Sequence, residues 1–269
     1  MKIISFEEMK RIELDMLLNV DDLCKKHDIK YYLGFGTLLG GVRHRGFIPW
    51  DDDIDILLFR NDYTKLVSLF NGGPIGNLSF LGYEKDHHSI YAFGKICDNR
   101  TEVVFEGIED VPGLGVYIDV FPLDEFDLGI RGKINTIRIK LLTMMRVLSM
   151  HINSNCIDSK KVSTRALSKL LWGFSHIVGT NRIVSRLNKV AQEFNGNGSQ
   201  YVACTTLNPK IMNRNIFGEP RYSEFEGHML PFPQDADEYL RIQYGDYMIL
   251  PPINERMPHH DFVARWKEG

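Results

Sequence analysis

The stretch Asp51-Asp52-Asp53-Ile54-Asp55-Ile56-Leu57-Leu58 gathers carboxylates at the head of an apolar run. On a strand successive side chains point to opposite faces, so Asp51, Asp53 and Asp55 share one side while Ile54 and Ile56 take the other. Two carboxylates about 4 Å apart repel by about 4 kcal/mol at an effective dielectric of roughly 20. Three on one face therefore raise one another's pKa values or hold a cation. An all-oxygen set suits a hard divalent ion that keeps some waters and takes phosphate oxygens as further ligands. Mg²⁺ is the expected ion, with Mn²⁺ as the alternative. A solvated Asp-rich turn ahead of an ordinary strand is the competing reading.

Two other segments bear on that choice. Upstream, Gly34-Phe35-Gly36-Thr37-Leu38-Leu39-Gly40-Gly41 follows a short apolar strand and leads into a helix. Backbone N–H groups at Gly36 and the Thr37 hydroxyl would there face an anion at the helix N-terminus. Downstream, Asp119 sits between Ile118 and Val120 in the alternating segment Gly115–Phe121. An acid inside so apolar a strand is costly to bury unless paired or metal-bound; an edge position facing water is the alternative. An anion-holding turn, an Asp-x-Asp pair and a later strand carboxylate together fit a two-metal phosphoryl-transfer site.

These residues need a scaffold, and the pattern supplies a mixed α/β one. Ser5 to His27 reads as a helix opened by a Ser5/Glu8 capping box, with Met9, Ile12, Met16, Leu17, Val20 and Leu23 on one face. Strands are expected at Ile29–Leu33, Asp53–Leu58, Ile90–Asp98, Val103–Phe105 and Gly115–Phe121. Helices are expected at Leu38–Val42 and Asp62–Phe70, with a polar loop from Arg43 to Pro49. Beyond residue 130 the pattern turns helical through Ile134–His151, Val162–Val178 and Arg182–Phe194, until Gly196-Asn197-Gly198-Ser199 breaks it. A last helix, Asp237–Tyr244, ends at Gly245 ahead of Pro251-Pro252. The expected organisation is a catalytic core over 1–130, a basic helical insert over 131–195, and a C-terminal segment over 196–269 that packs back on the core.

Composition narrows the function classes. The 269 residues are 43% hydrophobic and 25% charged, which excludes disorder and low-complexity sequence. No run reaches the roughly 18 to 20 apolar residues of a membrane span. The opening residues turn acidic before a signal-peptide core could form, and four dispersed cysteines without a CxxC pair suggest neither a disulfide framework nor a zinc knuckle. A cytoplasmic location is the expectation. Charge is uneven: Arg131 to Lys189 holds twelve Lys or Arg against Asp158, a local +11, leaving −14 for the rest. Such asymmetry suggests that one side meets an anionic surface or ligand. A solvated basic face, contact with anionic lipid at the inner membrane face, and nucleic-acid binding are the three readings. The last is discounted because no helix-turn-helix, RNP or zinc-finger signature accompanies the charge.

The block Leu33-Gly34-Phe35-Gly36-Thr37-Leu38-Leu39-Gly40, followed by Val42-Arg43-His44-Arg45-Gly46-Phe47-Ile48-Pro49-Trp50-Asp51-Asp52-Asp53-Ile54-Asp55, resembles the signature of the LicD family. The likeness continues at Lys95, at Ile118-Asp119-Val120-Phe121-Pro122-Leu123-Asp124, and at Tyr244-Gly245-Asp246-Tyr247-Met248 with Pro251-Pro252. These bacterial phosphorylcholine transferases are similar to the fukutin-related ribitol-phosphate transferases. The resemblance implies a nucleotidyltransferase-like fold with Gly36-Thr37 in place of the superfamily's Gly-Ser, Asp53 and Asp55 as the paired acids and Asp119 as the third. It also implies a cytidine-diphosphate choline donor, a glycan or lipid-linked glycan acceptor, and cytidine monophosphate as leaving group.

Roles then follow for individual residues. Asp53 and Asp55, with Asp51 directly or through water, would hold the metal on the donor diphosphate, and Asp119 would be a ligand or the base for the acceptor hydroxyl. Arg43 and His44 are expected to grip phosphate, and Lys95 to neutralise it as a point charge. Trp50 is a candidate to stack on a base or a choline head, with core packing as its alternative. Asp246 and His259 are expected substrate contacts. Donors carrying ribitol, glycerol or ethanolamine, a true nucleotidyl transfer, and a membrane-associated scaffold with a degenerate site remain the alternatives.

Overall fold

The structure, a computed structural model, describes residues 2–87, 89–105, 111–150, 162–206, 209–257 and 262–268. It opens with helix α1 (Phe6–Lys26), whose Ser5 hydroxyl accepts from the Glu8 N–H at 3.2 Å. Only half of the expected capping box forms. The Glu8 carboxylate turns instead to Lys2 and to the Trp266 indole N–H at 3.0 Å, so it ties the two ends of the chain together. The apolar face of α1 is buried as its periodicity requires, at Met9, Ile12, Met16, Leu17 and Val20.

Next come β1 (Tyr32–Leu33), α2 (Phe35–His44), β2 (Ile54–Phe59), α3 (Arg60–Leu69), β3 (Leu78–Leu81), β4 (Gly94–Asp98), β5 (Thr101–Phe105) and β6 (Tyr117–Glu125). Three helices follow, α4 (Ile130–Met150), α5 (Val162–Val178) and α6 (Thr180–Ala191). The chain returns through β7 (Tyr201–Cys204), β8 (Met212–Asn213), β9 (Arg221–Phe225), β10 (His228–Phe232), α7 (Ala236–Tyr244) and β11 (Phe262–Trp266). This is the mixed α/β architecture expected.

The main sheet runs β1-β2-β6-β4-β3, with β7 beside the far half of β6 and β8 beside β7. Only β2 and β6 pair in parallel; every other pairing in this sheet is antiparallel. Strand β6 is longer than the sequence suggests and contains Pro122. It pairs with β4 as far as Val120 and with β7 from Leu123, so Pro122 falls between two neighbours, where its missing N–H costs no ladder bond. Ile54, Ile56, Ile118 and Val120 are fully buried, and this apolar layer fixes the register of the central strands.

The late segments join that core. β7 pairs with β6, β11 pairs with β5, and the β9–β10 hairpin packs against α2. Asp124 on β6, itself inaccessible, receives Arg60 through two bonds of 2.7 Å, Asn195 at 2.6 Å and Thr205 at 2.5 Å. That buried hub connects α3, the segment after α6 and the segment after β7. Helix α4 packs on α6 through Ile139, Val184, Leu187 and Val190. Among the described residues, no helix is long and apolar enough to cross a membrane.

Candidate active site

The site begins with α2, which differs from the sequence expectation at both ends. It starts at Phe35, before Gly36-Thr37, and runs on to include Arg43 and His44, which the sequence placed in a loop. The Thr37 hydroxyl is buried and accepts the Asp55 N–H at 2.8 Å. Thr37 therefore couples α2 to β2. The glycines permit close approach: a Cβ at Gly36 would lie 2.6 Å from an Asp51 carboxylate oxygen, and one at Gly40 would run into the Gly46 carbonyl. Phe35 stands at φ +38, a conformation non-glycine residues rarely hold, anchored by its edge contact with Phe121 at 5.2 Å.

The loop between α2 and β2 is clamped from outside. At the β9–β10 turn Glu226 and Gly227 both have positive φ, as a two-residue hairpin turn demands. There Glu226 accepts the Phe47 N–H at 2.9 Å and donates its own N–H to the Arg45 carbonyl. Nothing local in the sequence marks Glu226 for this task.

The acids converge through sheet register. Asp55 and Asp119 are cross-strand neighbours in the parallel β2–β6 pair, and Lys95 faces Asp119 in the antiparallel β4–β6 pair. Oxygens of Asp53, Asp55 and Asp119 lie within 4.8 Å of one another, and so do those of Asp51, Asp52 and Asp53. Asp55 is 7% exposed, and burial first, then Asp53, Asp119 and Asp51, push its carboxyl well above the usual range. The predicted trio thus meets in space. The Lys95 ammonium is 2.5 Å from Asp119 and is surrounded by the rings of Tyr117 at 3.5 Å, Tyr91 at 5.0 Å and Phe93 at 5.4 Å. Its charge is directed at the carboxylate, and it answers the burial cost of Asp119.

Asp51, Asp53 and Asp55 open onto a cavity of about 600 Å³ also lined by Phe35, Gly36, Arg43, Trp50, Tyr244, Asp246 and Tyr247. Arg43 reaches across to the Tyr247 carbonyl at 3.0 Å and donates its Nε–H to His44 at 3.0 Å. Burial, then Arg43, lowers the His44 pKa, so the ring is a neutral acceptor at physiological pH. Asp246 lies exposed after Gly245 caps α7 with φ +71, and it borders the cavity. Trp50 is half-buried, with the Arg256 guanidinium over its ring at 5.4 Å. The cavity so combines acids with the Arg43 guanidinium, and Arg256 stands beside the Trp50 that lines it. His259 lies outside the described residues.

Sequence reasoning missed Arg256, Glu226 and Glu13. Glu13, on the buried face of α1, is 2% exposed and one of its carboxylate oxygens has no hydrogen-bond partner. Burial and then Asp53, Asp52 and Asp51 hold its pKa well above normal. The one signal available was an acid interrupting the apolar stripe between Ile12 and Met16.

Comparison with known proteins bears on this geometry. Residues 28–126 match the family model described as LicD/FKTN/FKRP, nucleotidyltransferase domain. Those residues, less than half of the chain, are similar to that domain. The matched stretch runs from just before β1 to just past β6, and so contains Asp53, Asp55, Lys95 and Asp119. Over nearly its whole length the chain is similar to the lipopolysaccharide cholinephosphotransferase LicD of Haemophilus influenzae. Identity is 26% over 282 residues, covering 97% of each chain. An uncharacterized protein of Rickettsia typhi is 36% identical over 99 residues, 36% of this chain and 29% of that one. Another, from Rickettsia prowazekii, is 36% identical over 90 residues, 34% of this chain and 31% of that one.

Proposed function

We propose that this chain belongs to the LicD family and transfers phosphocholine from cytidine-diphosphate choline to a sugar hydroxyl of a lipopolysaccharide or teichoic-acid precursor, releasing cytidine monophosphate. The name of the Haemophilus relative supports the transferred group and the first acceptor class. The observation that carries the reading is the convergence of Asp53, Asp55 and Asp119, the first two of which line an open cavity. In this reading the chain works in the cytoplasm, against the inner face of a membrane.

A divalent cation fits the residues present. The donor set is oxygen only, and Asp55 without a cation is a buried carboxyl held protonated by its neighbours. Asp53 and Asp55 would hold the ion, Mg²⁺ or Mn²⁺, with Asp51 beside them. When bound, it supplies positive charge to the diphosphate and to the departing phosphate.

The acceptor oxygen attacks the phosphorus that bears choline, and the bond from that phosphorus to the bridging oxygen breaks. The bridging oxygen leaves with cytidine monophosphate. Arg43, already fixed by the Tyr247 carbonyl, holds phosphate oxygens, and Arg256 beside Trp50 adds positive charge. Asp119 is either the third ligand of the ion or the base that takes the hydroxyl proton, oriented by Lys95 in both cases. Asp119→Asn separates the two: loss of turnover with donor binding kept marks the base, and loss of both marks the ligand.

The test is incubation with cytidine-diphosphate choline, Mg²⁺ and candidate glycan acceptors, with the nucleotide products separated. Acceptor-dependent release of cytidine monophosphate is the expected result. No cytidine monophosphate from that donor, with release of pyrophosphate in a parallel incubation with nucleoside triphosphates, would overturn phospho-alcohol transfer in favour of nucleotidyl transfer.

A further inference from the structure

Helix α4 has an inward face and, opposite it, an exposed apolar one. Gly132, Asn135, Ile139 and Arg146 face inward, the last reaching the Ile90 carbonyl at 3.4 Å. On the other side Ile130 is 76% exposed, Ile134 52%, Ile137 67%, Leu141 45% and Met144 42%. At about 100° per residue these five fall within an arc of about 80° opposite those four, a stripe that ends before the buried Met145 and Leu148. Exposed Arg131, Lys133 and Lys140 lie to either side of that arc. The neighbouring α5 leaves Leu170, Phe174 and Ile177 exposed at i, i+4 and i+7.

We propose that the outer face of α4, continued by the exposed residues of α5, is a docking surface for an anionic lipid bilayer, seated with its apolar stripe among the acyl chains and its cations at the headgroups. An exposed stripe of large aliphatic side chains flanked by Lys and Arg is the pattern of a helix lying in a membrane interface. Charge decides between this occupant and others. Exposed Arg131, Lys133 and Lys140 flank the stripe, so a second copy presenting the same face would be repelled. A nucleic acid would match the cations but leave the aliphatic stripe in water. An anionic bilayer satisfies both. Arg146, on the inner side of the same helix, places its guanidinium 5.9 Å from the Phe93 ring, one of the rings around Lys95. The bilayer-facing helix thus touches the segment that leads into β4, the strand of Lys95. The inference deepens the peripheral placement proposed above but does not depend on the reaction.

The experiment is flotation of the full chain with vesicles of phosphatidylcholine alone or mixed with phosphatidylglycerol. Wild type is expected on the mixed vesicles, at least about tenfold more tightly than on the neutral ones, with binding falling as salt is added. Lys133→Glu with Lys140→Glu is expected to weaken binding by about 25-fold or more, from about fivefold per cation removed. Ile134→Glu with Ile137→Glu is expected to abolish it, while thermal unfolding stays unchanged because both side chains are exposed. Equal binding to both vesicle types, no binding to either, or indifference to both double variants would overturn the proposal. So would a dimer in light scattering that Ile134→Glu with Ile137→Glu disperses without any vesicle binding. Release of cytidine monophosphate with a water-soluble acceptor is followed on the same proteins: vesicle binding without release leaves the surface standing and removes the reaction, and release without binding does the reverse.

Discussion

At the scale of single residues, the acids that matter were legible because their types are expensive where they stand. Three alternate Asp residues before Ile56-Leu57-Leu58, and an Asp between Ile118 and Val120, each called for a partner, and the fold brings them together. The roles of Thr37 and Lys95 were less legible, because each depends on a neighbour distant in sequence. Thr37 takes the Asp55 N–H, and Lys95 is turned to Asp119 by strand register. Gly36 offers a test at this scale. An added Cβ would stand 2.6 Å from the Asp51 carboxylate, so Gly36→Ala must move that side chain. Donor affinity is expected to fall about tenfold or more, equivalent to about 1.4 kcal/mol, with a thermal midpoint close to wild type. Calorimetric titration of the donor checks the first, and a melting curve the second.

At the scale of elements, helices with a clear apolar period were readable, and α1 and α7 fall within a residue or two of expectation. Helix α2 was not, because Gly34-Phe35-Gly36-Thr37-Leu38-Leu39-Gly40-Gly41 has poor intrinsic helix propensity. Its glycines are there for approach: Gly40 meets the Gly46 carbonyl and Gly41 meets the Phe232 ring. Strand β11 was missed since its partner, β5, lies far away in the sequence. The β4–β6 pair carries the element-scale prediction. Lys95 and Asp119 have side chains 5% and 9% exposed, so Lys95→Met leaves a buried charge without its counter-ion. The expected cost is about 3 to 5 kcal/mol, read by urea unfolding. Adding Asp119→Asn should recover most of that loss; a double variant as unstable as the sum of the singles would contradict the pairing.

At the scale of the whole molecule, the uneven charge was plain in the sequence, while the exposure of one face of α4 needed the packing of α4 on α6 to be seen. The acidic part has a consequence for stability. Asp55 and Glu13 are both held above the usual carboxylate range by burial and by neighbouring Asp residues. In the folded chain without a cation they keep protons that the unfolded chain gives up above about pH 4. Their contribution is therefore favourable to folding at low pH and is lost as pH rises through and beyond the ordinary carboxylate range. In EDTA the thermal midpoint should fall as pH rises above the ordinary carboxylate range, and Glu13→Gln should flatten the slope. Mg²⁺ should raise the midpoint more at the higher pH.

The most direct test is calorimetric titration of cytidine-diphosphate choline into the full chain, with Mg²⁺ or with EDTA, for wild type and for Asp53→Asn with Asp55→Asn. Binding by wild type with Mg²⁺ alone, and none by the folded double variant in either condition, is the expected result. Donor binding that persists in EDTA, or that survives replacement of both acids, would contradict a site in which Asp53 and Asp55 hold a cation against the diphosphate.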